Sequence, residues 1–138
     1  MDTPEVHARL ARILEEMRGL PEVTASAIVR RDGVIIEHRL PTQVDTRKFA
    51  AMTAAIVGTG EMSTTELGLG GFDQVLVYGS DGVMLATGAG EEALLVTLLR
   101  KDANIGLVLL TGGRVAQEIE ECLRAAVPQS KEVAYALP

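Results

Sequence analysis

The stretch DTRKFAAMTAAIVGTGEMSTTEL, Asp45 to Leu67, divides the chain into two different halves. It has no proline, is rich in alanine and methionine, and is long enough for several helical turns. The segments on either side are short β-prone runs broken by turn residues. Upstream, Val23 to Arg30 and Val34 to Arg39 flank Arg31-Asp32-Gly33. Asp-Gly between such runs is a strong hairpin signal, because both positions of a tight hairpin turn favour positive φ. The second run ends in Glu37-His38-Arg39 with Pro41 beyond, a pattern that blunts a strand at a sheet edge. Downstream, Phe72 to Tyr78 and Val83 to Thr87 flank Gly79-Ser80-Asp81-Gly82. Gly88-Ala89-Gly90 turns the chain again, and Ala93 to Leu99 completes a three-strand meander.

Helices close both ends. Thr3 can cap the first, Pro4 suits its first position and Glu5 complements its positive end. Val6, Leu10, Ile13, Leu14 and Met17 form one stripe, and Gly19 with Pro21 stops it. Asp102 or Asn104 can cap a last helix from Ile105 to about Ala126, ended by Pro128. The expected fold class is α+β (α/β) in the order α-β-β-α-β-β-β-α. Its five-stranded antiparallel sheet should carry the middle helix on one face and the terminal two on the other. Near-continuous apolar runs such as Val75-Leu76-Val77 and Leu94-Leu95-Val96 fit a sheet covered on both faces. At 138 residues this reads as one domain over 1–128, with 129–138 a short loose tail.

Composition narrows the function. Acids outnumber bases 19 to 13 and the formal charge is −6, which disfavours nucleic acid, whose binding draws on clustered cations. At 3% aromatic residues there is little to stack bases on. The single cysteine, Cys122, fits a reducing compartment. No basic-then-apolar leader and no run of about 20 apolar residues is present, so the expected location is cytoplasmic without membrane insertion.

The middle helix has two apolar sides. Phe49, Met52, Thr53, Ile56, Gly60, Ser63 and Leu67 share one, which should cover the sheet. Ala51, Ala54, Ala55, Gly58, Met62 and Thr65 share the other, with Arg47, Lys48, Glu61 and Glu66 only at the flanks. Helix propensity alone favours alanine, but Gly58 and Gly60 each weaken a helix by about 1 kcal/mol relative to alanine. A second packing partner accounts for both, and a two-fold copy of the chain is the simplest. The Phe72 to Tyr78 edge carries only Asp73 as a gatekeeper, so Val75 and Val77 are expected to pair with their own copy.

Three segments carry a family resemblance: Ala25-Ser26-Ala27-Ile28-Val29-Arg30-Arg31-Asp32-Gly33; Leu76-Val77-Tyr78-Gly79 before Asp81-Gly82; and Ala93-Leu94-Leu95-Val96 before Asp102-Ala103-Asn104-Ile105-Gly106-Leu107. In this order and spacing the chain, from Val6 to Ala126, resembles the Roadblock/LC7 family in its short prokaryotic, MglB-like form. The resemblance implies a five-stranded antiparallel sheet between helices and a homodimer formed through the middle helix and third strand. It also implies binding of a Ras-like small GTPase, as activator of its GTP hydrolysis or as scaffold. Longer members carry a further helix beyond the position of Ala126, and activities that depend on it are not expected here. Arg47 and Lys48, whose charge opposes the helix dipole at their position, are the partner-binding candidates on a composite dimer surface.

The sequence offers no catalytic constellation. There is no phosphate-binding Gly-x-x-x-x-Gly-Lys-Ser/Thr loop, and Gly68, Gly70 and Gly71 read as a helix end and turn. His7 and His38 lack metal-ligand company, and Cys122 beside Ile119 and Leu123 reads as core. Glu118, Glu120 and Glu121 read as a solvated helix face, and Glu91-Glu92 as a turn. Ser26, Ser63 and Ser80 lack a nucleophile elbow. The expectation is no catalytic residue, no cofactor, no metal and no enzyme. Gly112-Gly113 fits a late helix start, a kink or close crossing of the first helix, the last being the favoured reading. The rival reading is a PAS- or GAF-type sensory domain holding a small ligand between helix and sheet.

Overall fold

The computed structural model describes residues 3–126, so the expected tail at 129–138 lies outside the described residues. The elements are α1 (Pro4–Glu15), a short 3-10 helix (Glu16–Gly19), β1 (Val23–Arg30), β2 (Val34–His38), α2 (Thr46–Glu66), β3 (Gln74–Gly79), β4 (Gly82–Ala89), β5 (Ala93–Arg100) and α3 (Ile105–Ala125). All neighbouring strands are antiparallel, in the order β2-β1-β5-β4-β3. The expected α+β class and element order hold, with α2 on one face and α1 and α3 on the other.

Local chemistry sets the element ends. The Thr3 hydroxyl accepts from Val6 N at 3.2 Å, and Asn104, not Asp102, caps α3 by accepting from Leu107 N. α1 passes into the 3-10 turn, which carries Met17 into the core, and stops at Gly19 as expected. α2 ends at Gly68, whose φ of +67° only glycine adopts cheaply.

The strands bury both faces by alternation. Ile28, Leu85, Leu95 and Leu99 meet Leu10, Leu14, Val108, Val115 and Ile119 beneath the paired helices. On the opposite face Ala25, Ala27, Val29, Ala86, Leu94 and Val96 meet Phe49, Ala50 and Val57 of α2. The sheet residues under α2 are small, so that helix sits close.

Three expectations are corrected. In the first hairpin only Gly33 has positive φ, at +92°; no non-glycine residue among those described does, so Asp32 does not share that conformation. In the second, Ser80 and Asp81 form the loop between the paired Gly79 and Gly82, and Gly82 has no positive φ. Its role is close approach, since a Cβ there would stand 2.9 Å from the Leu99 carbonyl oxygen. Gly112 and Gly113 do not mark a helix crossing, because a Cβ at either would meet nothing within 4 Å.

The acidic face of α3 is also more structured than a solvated surface. Arg114 donates to Glu16 at 2.8 Å and to Glu118 at 3.3 Å, tying α3 to the 3-10 turn. Glu118 Oε2 is buried without a partner. Burial, then the carboxyl of Glu16 beside it, raises the pKa of Glu118 against the pull of Arg114. The folded state therefore holds this proton more tightly than the unfolded one. The stabilisation is complete below the unfolded pKa and is lost as pH rises through the folded value. Glu118→Gln should be more stable than wild type at neutral pH, with a flatter stability profile just above the ordinary carboxylate range. Urea titrations at several pH values measure this, and an unchanged profile would contradict it.

A second test addresses the sheet centre. Ser26 stands directly opposite Thr97 across β1 and β5, and both hydroxyls are buried without partners. An unsatisfied buried hydroxyl costs free energy, whereas an apolar group of the same shape does not. The Ser26→Ala, Thr97→Val double variant should match or exceed wild-type stability by up to about 1 kcal/mol in urea unfolding. A loss of about 1 kcal/mol or more would show that the hydroxyls are satisfied.

Candidate functional site

α2 crosses one face of the sheet over β2, β1 and β3, and among the described residues nothing covers its outer side. Asp45 caps it by accepting from the backbone N–H groups of Arg47 and Lys48, both at 3.1 Å. That carboxylate at the positive end offsets the unfavourable placing of two cations there.

The inward side is Phe49, Ala50, Thr53 and Val57, all buried. This rotates the sheet-facing stripe expected from periodicity. Met52 is 51% exposed, Leu67 is 71% exposed and Ser63 is also outside, while Ala50 and Val57 take their place. Ile56 and Gly60 are half-buried, with Phe72 Cε1 3.1 Å from the position of a Cβ at Gly60. Of the residues expected on the outer side, Ala51, Ala55, Gly58, Met62 and Thr65 are exposed there. Ala54 is not: it is half-buried, and its Cβ lies 3.6 Å from where a Cβ at Gly33 would stand.

The outer side therefore presents Ala51, Met52, Ala55, Gly58, Thr59 and Met62, and no charged residue lies between Lys48 and Glu61. The hydroxyls of Thr59 and Ser63 are already spent on the helix itself. Thr59 Oγ1 donates to the Ala55 carbonyl and Ser63 Oγ to that of Thr59, both at 2.9 Å. Covering the stretch from Ala51 to Met62 would strand neither of these hydroxyl protons, so that stretch is suited to a dry contact.

β3 is an edge strand, as expected. Val75 packs toward the α2-side core and Val77 is 40% exposed. Arg47 lines a groove of about 350 Å3 with Thr46 and Gly33 to Ile35, between the start of β2 and the first turn of α2. Lys48 is exposed beside it. The space between α2 and the sheet, which a sensory domain would keep for a ligand, is packed with side chains.

Sequence reasoning missed Arg31. Its Nη1 pairs with Glu61 of α2, while Nε and Nη2 donate to the Gly90 carbonyl oxygen at 3.1 and 2.8 Å. One side chain thus fixes the position of α2 against the turns at β1–β2 and β4–β5. The signal was present only as a cation in a turn and an acid on a helix flank, with nothing local to join them.

The comparisons with known proteins agree with this architecture. The Roadblock/LC7 domain family model matches residues 10–99. A protein of Methanocaldococcus jannaschii is 35% identical over 115 residues, covering 83% of this chain and 97% of its own. The solved structure of Myxococcus xanthus MglB superposes with a TM-score of 0.83 at 20% identity, covering 93% of this chain and 96% of that one. The gliding protein MglB from Thermus thermophilus gives 0.80 at 22% identity, covering 90% and 95%. The chain belongs to the Roadblock/LC7 family.

Arg31 gives the test of how firmly α2 is held. Arg31→Ala should cost about 1–2 kcal/mol, a value discounted for partial exposure of the ion pair. Arg31→Lys should recover less than half, since an ammonium cannot fork between Glu61 and Gly90. Urea unfolding measures the loss, and hydrogen exchange should show it as faster opening around Glu61. Equal stability of wild type and Arg31→Ala would remove the tie.

Proposed function

We propose that the protein is a cytoplasmic homodimer that binds a Ras-like small GTPase on a rigid helical platform and supplies no catalytic residue itself. The observation that carries this reading is the outer side of α2, uncharged from Phe49 to Gly60 with its hydroxyls satisfied within the helix. A helix alone on its sheet face with such a side calls for a second copy. In the dimer Ala51, Ala55, Gly58 and Met62 meet across the two-fold, and β3 pairs with its copy at Val75 and Val77. Ala54 supports the contact from beneath rather than joining it. Family membership supports self-association and GTPase binding, and one solved relative is described as MglB with a tetrameric arrangement.

A GTPase reports its nucleotide through loops that change shape, and a preformed platform can favour one shape. Arg47 and Lys48 from both copies rim that platform. Any stimulation of hydrolysis then comes from holding the GTPase loops in their competent arrangement.

Sedimentation should give twice the chain mass at micromolar concentration, and Gly58→Arg should give the monomer, because the contact would bury an unpaired charge. Gly58 has open space around it, so the variant should fold. A monomeric wild type would exclude the assembly. Ras-like GTPases of the source organism, loaded with GDP or a non-hydrolysable GTP analogue, should bind wild type with a preference for one nucleotide. The Arg47→Glu, Lys48→Glu variant should bind at least tenfold more weakly. Equal binding by that variant would remove this surface from the model, and no binding by wild type would remove the function.

A further inference from the structure

On the face opposite α2 the helical layer formed by the described residues is one strand too narrow. α1 packs over β2 and β1, and α3 over β5 and β4. Helices are about 10 Å wide and strands lie about 4.8 Å apart, so two helices cover four strands. β3 is the fifth. By alternation Gln74, Leu76 and Tyr78 point to this face; Leu76 is half-buried against the core beneath α1 and α3, while Tyr78 is 67% exposed.

α3 forms the wall of the resulting trough. Arg100 pairs with Gly82 and Gly82 with Gly79, so α3 starts near the end of β3 and runs back toward its beginning. There Gly113, Gln117 and Glu120 line a groove of about 340 Å3 with Asp73 and Gln74. Leu110, one turn before Gly113, is 75% exposed, more than any other large apolar residue described. The two ends differ in charge. Tyr78 and Leu110 mark an apolar end. Asp73 and Glu120 mark an acidic one, continued by Glu91 and Glu92 in an adjoining groove and by the negative end of the α3 dipole. Among the described residues Arg124 is the one cation lining either groove, and it is paired with Glu120.

We propose that this trough is the docking site for one amphipathic helix of a partner protein, apolar where it meets Leu76, Tyr78 and Leu110, and basic where it meets Asp73 and Glu120. The width, the exposed Tyr78 and Leu110 beside half-buried Leu76, and the charge at one end all fit that occupant. The site exists on each chain by itself; only the stoichiometry rests on the homodimer reading. Two uncovered β3 strands side by side make a floor about 10 Å wide, room for a single helix per dimer.

The test uses a designed 18-residue amphipathic helix with a leucine stripe and lysines at one end, fluorescently labelled, and a version with glutamates in place of the lysines. Wild type should bind the lysine peptide, with amide shifts on β3 and the outer side of α3, and bind the glutamate peptide at least tenfold more weakly. Gly113→Leu fills the trough without crowding the fold, since nothing lies within 4 Å of a Cβ there. It should weaken binding at least tenfold with no loss of thermal stability, and Leu110→Ser should weaken it as well. Equal affinity of wild type and Gly113→Leu, equal affinity for the two peptides, or shifts confined to α2 would overturn the proposal. One peptide per two chains supports the paired β3 edges. One per chain keeps the trough and overturns that pairing alone.

Discussion

The pairing of β1 with β5, Val29 opposite Leu94 and Ile28 opposite Leu95, joins the two halves of the chain and places β2 and β3 at opposite edges. The connection from β2 to β3 must therefore cross the whole sheet, roughly 19 Å over four strand spacings. A 21-residue α2, about 32 Å long, spans that distance on a diagonal. Close contacts secure its crossing: Gly33 beneath Ala51 and Ala54, and Gly60 against the ring of Phe72. Alanines at 25, 27 and 86 lower the floor between them. Once that crossing is made, no other element among the described residues covers the outer side of α2.

What the sequence revealed follows from the range of each interaction. Caps and glycine stops act within a few residues, so Thr3, Pro4, Gly19 and Gly68 located helix ends. Strand order was legible because two hairpin signals bracket one helix. The rotation of α2 was not. Its circumference is almost evenly apolar, and the choice of Ala50 and Val57 over Met52 and Leu67 is made by the alanine-lined sheet beneath. Ala54 was misplaced for the same reason. Asp32 and Gly82 show a finer limit, since Asp-Gly marks a turn without fixing which residue takes positive φ. Arg31 lay beyond local reading because its partners are Glu61 and Gly90, 30 and 59 residues away.

The family assignment required less than the site did. It rests on the order of elements and on short segments that shape the sheet, such as Ala25 to Gly33, and these are the local features that sequence carries best. The partner surface depends on which side of α2 faces out, a tertiary fact. Five of the residues expected there are indeed outside, because Phe49, Ala50 and Val57 are the side that meets the opposite sheet face.

Charge gives the platform its final constraint. In the proposed dimer an antiparallel pair of α2 helices, with its two-fold axis between Ala55 and Gly58, brings the first turn of one copy beside the last turn of the other. Arg47 and Lys48 then stand near Glu66 of the partner copy, and Met52 stands near Met62. The exposed cations proposed to rim the GTPase surface would thus also lie within reach of an acid at the edge of the self-contact. Surface pairs of this kind contribute about 0–1 kcal/mol each, too little to hold the dimer, whose stability must come from the dry centre. The same weakness leaves Arg47 and Lys48 available to an incoming partner: they can exchange Glu66 for an acidic group on the GTPase at small cost. A platform built as proposed would separate two tasks, with uncharged small residues for self-assembly at the middle and exchangeable charges for recognition at the ends.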